Sequence, residues 1–264
     1  MTTTLVLVAI FFGVAVAFSA LGQGGGAFYV PLLLAASVPF HQAAATSQAV
    51  IMAVSLSSLL IFHRAGFVDW KLVLLVEPAT NLGALLGGYL SQYVPAQAGK
   101  LVFACVVVVA AFFMLRPLVE QKGPPRRGRA YWTRSLNGES YTVNWLVAEP
   151  LMAVAGFFAG MLGIGGGILK VPLMVFVCRI PLKVAVGSSS AMIGLTALTG
   201  FLGHGLAGHF DPGLTLPLAA AGFVGAQLGP RVSLAVDKRS LKRAFGVLMI
   251  AISAWMIVSV VRGA

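Results

Sequence analysis

Residues Leu21–Leu32 read LGQGGGAFYVPL, and residues Leu162–Leu173 read LGIGGGILKVPL. Eight of the twelve positions are identical, at a constant offset of 141 from Leu21 to Leu162. Each copy is a glycine triplet followed by Val-Pro, and each interrupts an apolar stretch. An internal repeat of this kind governs architecture, because copies of one unit fold alike. The match continues beyond the glycines. At the same offset Ser47 meets Ser188 and His63 meets His204. One inserted residue then brings GALLG (Gly83–Gly87) onto GAQLG (Gly225–Gly229), and Lys100 onto Lys242. The chain therefore reads as membrane repeat 1–119, connector 120–144 and membrane repeat 145–264.

The 264 residues are 59% hydrophobic and only 9% charged, with a mean hydropathy of +0.95. A soluble domain carries about 25% charged residues. So few charges cannot build a water-facing surface, which makes this an integral membrane protein. The net charge of +11 gathers in short connectors. It speaks of orientation in a bilayer and not of a nucleic-acid partner. Cys105 and Cys178 both lie in apolar runs and read as small buried hydrophobes. The first segment, TTTLVLVAIFFGVAVAFSA, has the apolar centre of a signal peptide but no basic lead. Its counterpart, LVAEPLMAVAGFFAGML, lies mid-chain, so the first segment is expected to belong to the mature fold.

Each half carries the same succession of apolar segments. They run roughly 4–21, 27–38, 42–62, 71–92 and 100–118, then 145–163, 168–178, 183–203, 213–234 and 241–261. Most have the ~20 residues that a helix needs to cross the hydrocarbon core. Those after the glycines are about a dozen residues and suit half-helices or tilted short spans. The polar connector 120–144 belongs outside the hydrocarbon.

Lysines and arginines set the orientation. Lys122, Arg126, Arg127, Arg129 and Arg134 assign the connector to the cytoplasm. DKRSLKR, with Lys238, Arg239, Lys242 and Arg243, calls for the same face, as does CRIPLK, with Arg179 and Lys183. Their counterparts are SQYVPAQAGK, with one lysine, and SVPFHQ, with no Lys or Arg. Corresponding connectors thus prefer opposite faces. An odd number of crossings per half satisfies this, either five or three plus a re-entrant glycine hairpin. The expected fold class is an all-α polytopic membrane protein of two inverted-topology repeats, with about 8–10 transmembrane segments and Gly-rich helix breaks.

Broken helices in inverted repeats are a recurring design of secondary transporters. An unpaired backbone N–H or C=O costs several kcal/mol in hydrocarbon, so a break survives only against protein or a water-filled cavity. A helix that starts after a glycine turn offers unpaired N–H groups and the positive end of its dipole, both suited to an anion. Two such turns could face one another across a central site. Close packing competes with this reading, and it is the favoured one for the GxxxG pairs Gly83/Gly87, Gly156/Gly160 and Gly225/Gly229.

LGQGGGAFYVPLLL and LGIGGGILKVPLMV resemble the paired motifs of the sulfite exporter TauE/SafE family, also called the toluene-sulfonate uptake permease family. ATSQA at Ala45–Ala49 and VGSSSA at Val186–Ala191 resemble its second paired motif. The resemblance covers both halves. It implies transport of a sulfur-containing anion: sulfite, thiosulfate, or an organosulfonate such as sulfoacetate. Two departures are Gln23, where a small or apolar residue is usual, and Gln48, opposite Ser189.

The candidate anion site comprises Gly24, Gly25, Gly26, Gly165, Gly166 and Gly167, with Ser47, Gln48, Ser188, Ser189 and Ser190. Thr46 and these hydroxyls are possible donors to sulfonate oxygens, with interhelical packing as their other role. Lys170 stands where the first half has Tyr29. A lysine at membrane depth costs roughly 2.5–3.5 kcal/mol on insertion scales, so it calls for anion attraction or gating, or else it snorkels to an interface. Glu77, in LLVEPATNLGALLG, has no acidic counterpart and is a candidate for a coupling proton or a helix end. His63 and His204 are coupling or gating candidates, read first as interfacial or packing residues. Asp69 and Asp211 are expected to cap the helices that follow them.

Two other functions compete. A cation or metal permease would use His204, His209 and Asp211, although their spacing is loose. An intramembrane enzyme would use the serines of VGSSSAMIG with His204, but no GxSxG elbow accompanies them. The expectation is a non-enzymatic transporter of the bacterial cytoplasmic (inner) membrane. It has no cofactor and no metal, its partners are the lipid bilayer and a small anion, and a homo-oligomer stays open.

Overall fold

The structure, a computed structural model, describes residues 2–19, 24–115, 128–136, 138–232, 247 and 249–258. The first half builds α1 (Thr2–Ser19), α2 (Gly26–Ala35), α3 (Phe40–Arg64), α4 (Trp70–Leu90) and α5 (Ala96–Leu115). The second builds α6 (Trp145–Leu162), α7 (Gly167–Pro172) running into a π-helical turn (Leu173–Val177), α8 (Leu182–Leu206) and α9 (Pro212–Val232). A further apolar helix spans Met249–Val258. Among the described residues, five helical stretches are long and apolar enough to cross a membrane: Phe40–Arg64, Trp70–Tyr93, Ala96–Phe113, Trp145–Leu162 and Val184–Leu206. The chain is an all-α polytopic membrane protein. Its described strands are β1 (Tyr131–Leu136) and β2 (Glu139–Asn144), an antiparallel hairpin within the connector. Gln23, Lys122, Arg126, Arg127 and the stretch from Lys238 to Arg243 lie outside the described residues.

α3 and α8 are each 25 residues long, and α4 and α9 are each 21. The extra residue of the second half lies earlier than direct sequence matching puts it. Pro39 follows Pro31 by eight positions, whereas Pro181 follows Pro172 by nine. The π-helical turn at Leu173–Val177 absorbs the additional residue, as such bulges do. Ser37 (φ 63°) and Arg179 (φ 57°), both in the left-handed region, mark the same point in each half. The register is corrected accordingly. Ser47 corresponds to Ser189, Thr46 to Ser188, and His63 to Gly205 instead of His204.

The halves interlock. α4 packs along α6 and α8, while α9 packs along α1 and α3, so each fourth helix lies on the other half's first and third. Four glycines make the α4–α6 contact. A Cβ at Gly83 or Gly87 would overlap the carbonyl of Ala153 or Phe157, and one at Gly156 or Gly160 that of Thr80 or Ala84. On the other side, a Cβ at Gly225 would lie 2.6 Å from the Phe12 carbonyl oxygen. Lipid supplies no hydrophobic push between helices, so such backbone approach carries their association. The packing role expected of Gly83/Gly87 and Gly156/Gly160 is what these positions do, and Gly225 does the same.

Connectors gather at two ends. At one, Val68 shares a cluster with Cys178, Ile180, Tyr141 and Val143. Asp69 caps α4 there by accepting from the Lys71 and Leu72 amides at 3.1 and 3.3 Å. The hairpin docks on that cap: Tyr141 Oη donates to Asp69 at 2.7 Å and Arg134 at 3.3 Å. At the other end, Gln42 Nε2 donates to Asp211 at 2.9 Å and His41 stacks on His209 at 4.9 Å. Asp211 caps α9, accepting from the Gly213 amide at 2.9 Å. Both caps are as the sequence leads one to expect.

Two outcomes follow from this packing. Gly87→Ala should cost about 1–3 kcal/mol through overpacking, read as a lower melting temperature in detergent. Gly205→Ala, with nothing within 4 Å of an added Cβ, should be neutral or gain up to about 1 kcal/mol from helix propensity. Equal melting temperatures would contradict the close-packing account. The second outcome concerns Asp69. Burial pushes its carboxyl up, but the Tyr141, Arg134 and Leu72 hydrogen bonds together hold it below the usual carboxylate range. The stabilisation is present above the unfolded value of about 4 and is lost as pH falls through the lower folded value. Amide protection of Tyr131–Leu136 and Glu139–Asn144, taken relative to the intrinsic exchange rate at each pH, should therefore fall below about pH 4. Asp69→Asn should show the same low protection at neutral pH.

Candidate functional site

Each helix break is a short turn in left-handed backbone. Gly24 and Gly25 have φ of 72° and 84°, and Gly165 and Gly166 have φ of 66° and 78°. Side chains avoid this region, so glycine is the residue that turns here. Gly25 and Gly166 stand as N-caps of α2 and α7 with no side-chain cap. The first amides of both helices are thus left without the usual side-chain partner.

The two turns meet in the middle of the bundle. A Cβ at Gly26 would overlap the backbone of Ile164, so the turns touch there instead of facing each other across open space. Two isoleucines separate them elsewhere. A Cβ at Gly24 would lie 3.1 Å from Ile51 and 3.2 Å from Ile193, and one at Gly165 would lie 2.6 Å from Ile51. Ile51 on α3 and Ile193 on α8 are counterparts in the corrected register.

The first hydroxyl motif serves the second break, and the other does not. Gly163 (φ 75°) ends α6, which leaves carbonyls without helical partners. Ser47 donates to the Gly163 carbonyl at 2.6 Å, and Gln48 Nε2 to that of Ala159 at 2.7 Å. One half's serine motif therefore caps the broken helix of the other. Ser189 and Ser190 donate to the carbonyls of Val186 and Gly187 on their own helix. Ser188 accepts from the Asp69 amide at 3.0 Å. Thr46 pairs with Thr215 at 3.0 Å. These bonds give the motifs the packing role that the sequence left open beside substrate binding.

Lys170 and Glu77, singled out separately in the sequence, meet. Lys170 is fully buried one turn beyond Gly166, and its ammonium donates to the carboxylate of Glu77, the hydroxyl of Thr196 and the carbonyl of Met192. Thr196 also donates to the second Glu77 oxygen at 3.1 Å. The pair joins α4 of one half to α7 of the other, with α8 closing the third side. Lys170 does not snorkel, and Glu77 is buried within α4 and not at its end.

Tyr29 takes the matching place in the first half. A Cβ at Gly25 would lie 2.9 Å from its hydroxyl, much as one at Gly166 would lie 3.3 Å from the Lys170 Cε. The Tyr29 hydroxyl is buried and has no hydrogen-bond partner among the described residues. Sequence reasoning noted Tyr29 only as the repeat partner of Lys170 and missed Thr196. Thr196 lies four positions beyond Met192, hence on the same helix face.

The histidines separate. His63 is exposed and accepts from the Trp70 indole at 3.2 Å, an interfacial pairing. His204 is buried between Ser91 and the Gly160 carbonyl, at 3.2 and 2.9 Å. Both of its ring nitrogens are engaged, and Asp211 is committed to capping. No group of three or more His, Cys, Asp or Glu among the described residues is arranged to hold a metal ion. The metal-permease alternative finds no geometric support in these residues.

Comparison with known proteins gives a consistent picture. Residues 6–256 match the family described as Sulfite exporter TauE/SafE. The chain is 28% identical over 250 residues to the probable membrane transporter protein YunE of Bacillus subtilis, covering 90% of this chain and 92% of that one. It is 28% identical over 241 residues to a probable membrane transporter protein of Xylella fastidiosa, covering 90% and 88%. A shorter likeness, 34% over 113 residues, links 40% of the chain to 18% of the probable membrane transporter protein MamO of Magnetospirillum gryphiswaldense. No solved structure matches. The chain belongs to the sulfite exporter TauE/SafE family of membrane transporters.

Proposed function

We propose that this protein is a secondary transporter of a sulfur-containing anion: sulfite, thiosulfate, or an organosulfonate such as sulfoacetate. It works by alternating access around the paired glycine breaks. The observation that carries this reading is the buried ammonium of Lys170, one turn beyond the second break. A cation at this depth is rare and marks a functional path by default, and the uncapped amides of α2 and α7 add positive potential nearby. Tyr29 supplies a further buried hydroxyl beside the first break.

Alternating access calls for two units that rock against each other, and inverted repeats provide them. Two features support inversion. The α3–α4 loop lies with the α7–α8 connector and the hairpin, whereas the α2–α3 connector lies with the α8–α9 loop. Matched connectors are thus found with opposite neighbours. α2 has 10 residues, about 15 Å at 1.5 Å per residue, half the thickness of the hydrocarbon core. The breaks then sit near the bilayer midplane, where such transporters bind their cargo. In this reading the hairpin connector is cytoplasmic, as its arginines favour.

Counterflow of labelled sulfite, thiosulfate and sulfoacetate in proteoliposomes tests the reading. Wild type should exchange at least one of the three. Lys170→Gln should reduce that exchange by about tenfold or more, the loss of one charge-assisted hydrogen bond or greater. Lys170→Arg should keep part of it, since charge survives while the compact ammonium does not. Ser188→Ala should cost about tenfold at most, as a lost neutral hydrogen bond does. Wild-type vesicles that move none of these anions would sink the proposal.

A further inference from the structure

Resting on the anion-transport reading above, we infer that Glu77 is a built-in competitor for the substrate anion at Lys170. A proton has to reach Glu77 before the anion can take its place. The protein is then a proton–anion symporter.

The donor count leads to this. A lysine ammonium has three protons and no acceptor. In Lys170 all three are used, by Glu77 from α4 and by Thr196 and the Met192 carbonyl from α8. Glu77 in turn is faced by Lys170 and by the Thr196 hydroxyl. The resting site therefore has no spare donor on Lys170 for a substrate oxygen. An arriving anion must displace the acceptor that most resembles it, the Glu77 carboxylate.

Charge decides how that happens. Glu77 and Lys170 together are neutral. Adding a monovalent anion while Glu77 stays ionised leaves a net negative charge in a fully buried site, which is costly. Adding it together with one proton restores neutrality. The proton passes from water to a Glu77 oxygen and forms an O–H bond. The ion pair opens, the ammonium keeps its three protons, and the anion accepts the one that Glu77 gave up. Thr196 suits both states, because its hydroxyl can rotate from donating to Glu77 to accepting from the neutral acid. Glu77 belongs to one half and Lys170 to the other, so the exchange also makes and breaks a link between the two units expected to move.

Purified wild type in weakly buffered detergent, titrated with the monovalent anion methanesulfonate, should take up one proton for each anion bound. Proteoliposomes carrying an internal pH dye should acidify as they accumulate it. Glu77→Gln, an isostere of the protonated acid, should lose both the proton uptake that accompanies anion binding and the pH dependence of that binding. Wild type that binds or moves an anion without proton uptake overturns this inference and leaves the transport reading standing. The same holds if Glu77→Gln still carries protons. Wild type that moves none of sulfite, thiosulfate, sulfoacetate or methanesulfonate overturns both. Should Glu77→Gln not purify, the wild-type proton count alone decides the matter.

Discussion

Backbone amides and carbonyls freed inside a hydrocarbon layer have to be met by protein or water. The two glycine breaks free such groups, and much of the bundle is arranged to meet them. Ser47 and Gln48 reach across from α3 to the carbonyls at the end of α6. Glycine on α4 and α6 brings those helices together until carbonyl oxygens sit where side chains would otherwise be. Ile51 and Ile193 fill the space beside the turns. The starts of α2 and α7 carry no side-chain cap, and a helix start is where an anion is well received.

The buried pair of Glu77 and Lys170 is a second consequence of that arrangement. A buried ion pair is weak evidence for stability, because desolvation offsets much of the attraction. Its place is more telling. The pair ties α4 of the first half to α7 of the second, directly after the break. In the proposed alternating-access reading, a link of that kind would open and close as the halves move.

Much of this was legible in the sequence, for physical reasons. Apolar length gave the helices to within a few residues, since the thickness of a bilayer constrains it. The caps Asp69 and Asp211 were legible because helix starts select acceptor side chains. The GxxxG contacts were legible because only glycine permits backbone contact. The hairpin was missed, although Asn137-Gly138 between alternating residues is a hairpin signal. The register of the repeat was misplaced because direct matching spends its one insertion where identities run out. The chain instead absorbs it in a π-helical turn whose residues are all apolar. The meeting of Glu77, Lys170 and Thr196 could not be read at all, since the contacts lie 93 and 26 positions apart along the chain.

The most direct test of the account is an experimental structure in lipid with a bound sulfonate. The account predicts density for the anion beside the two glycine turns, within hydrogen-bond reach of the Lys170 ammonium and with the Glu77 contact opened. It also predicts halves related by a two-fold axis in the membrane plane. An anion bound elsewhere, with Lys170 still joined to Glu77, would contradict it.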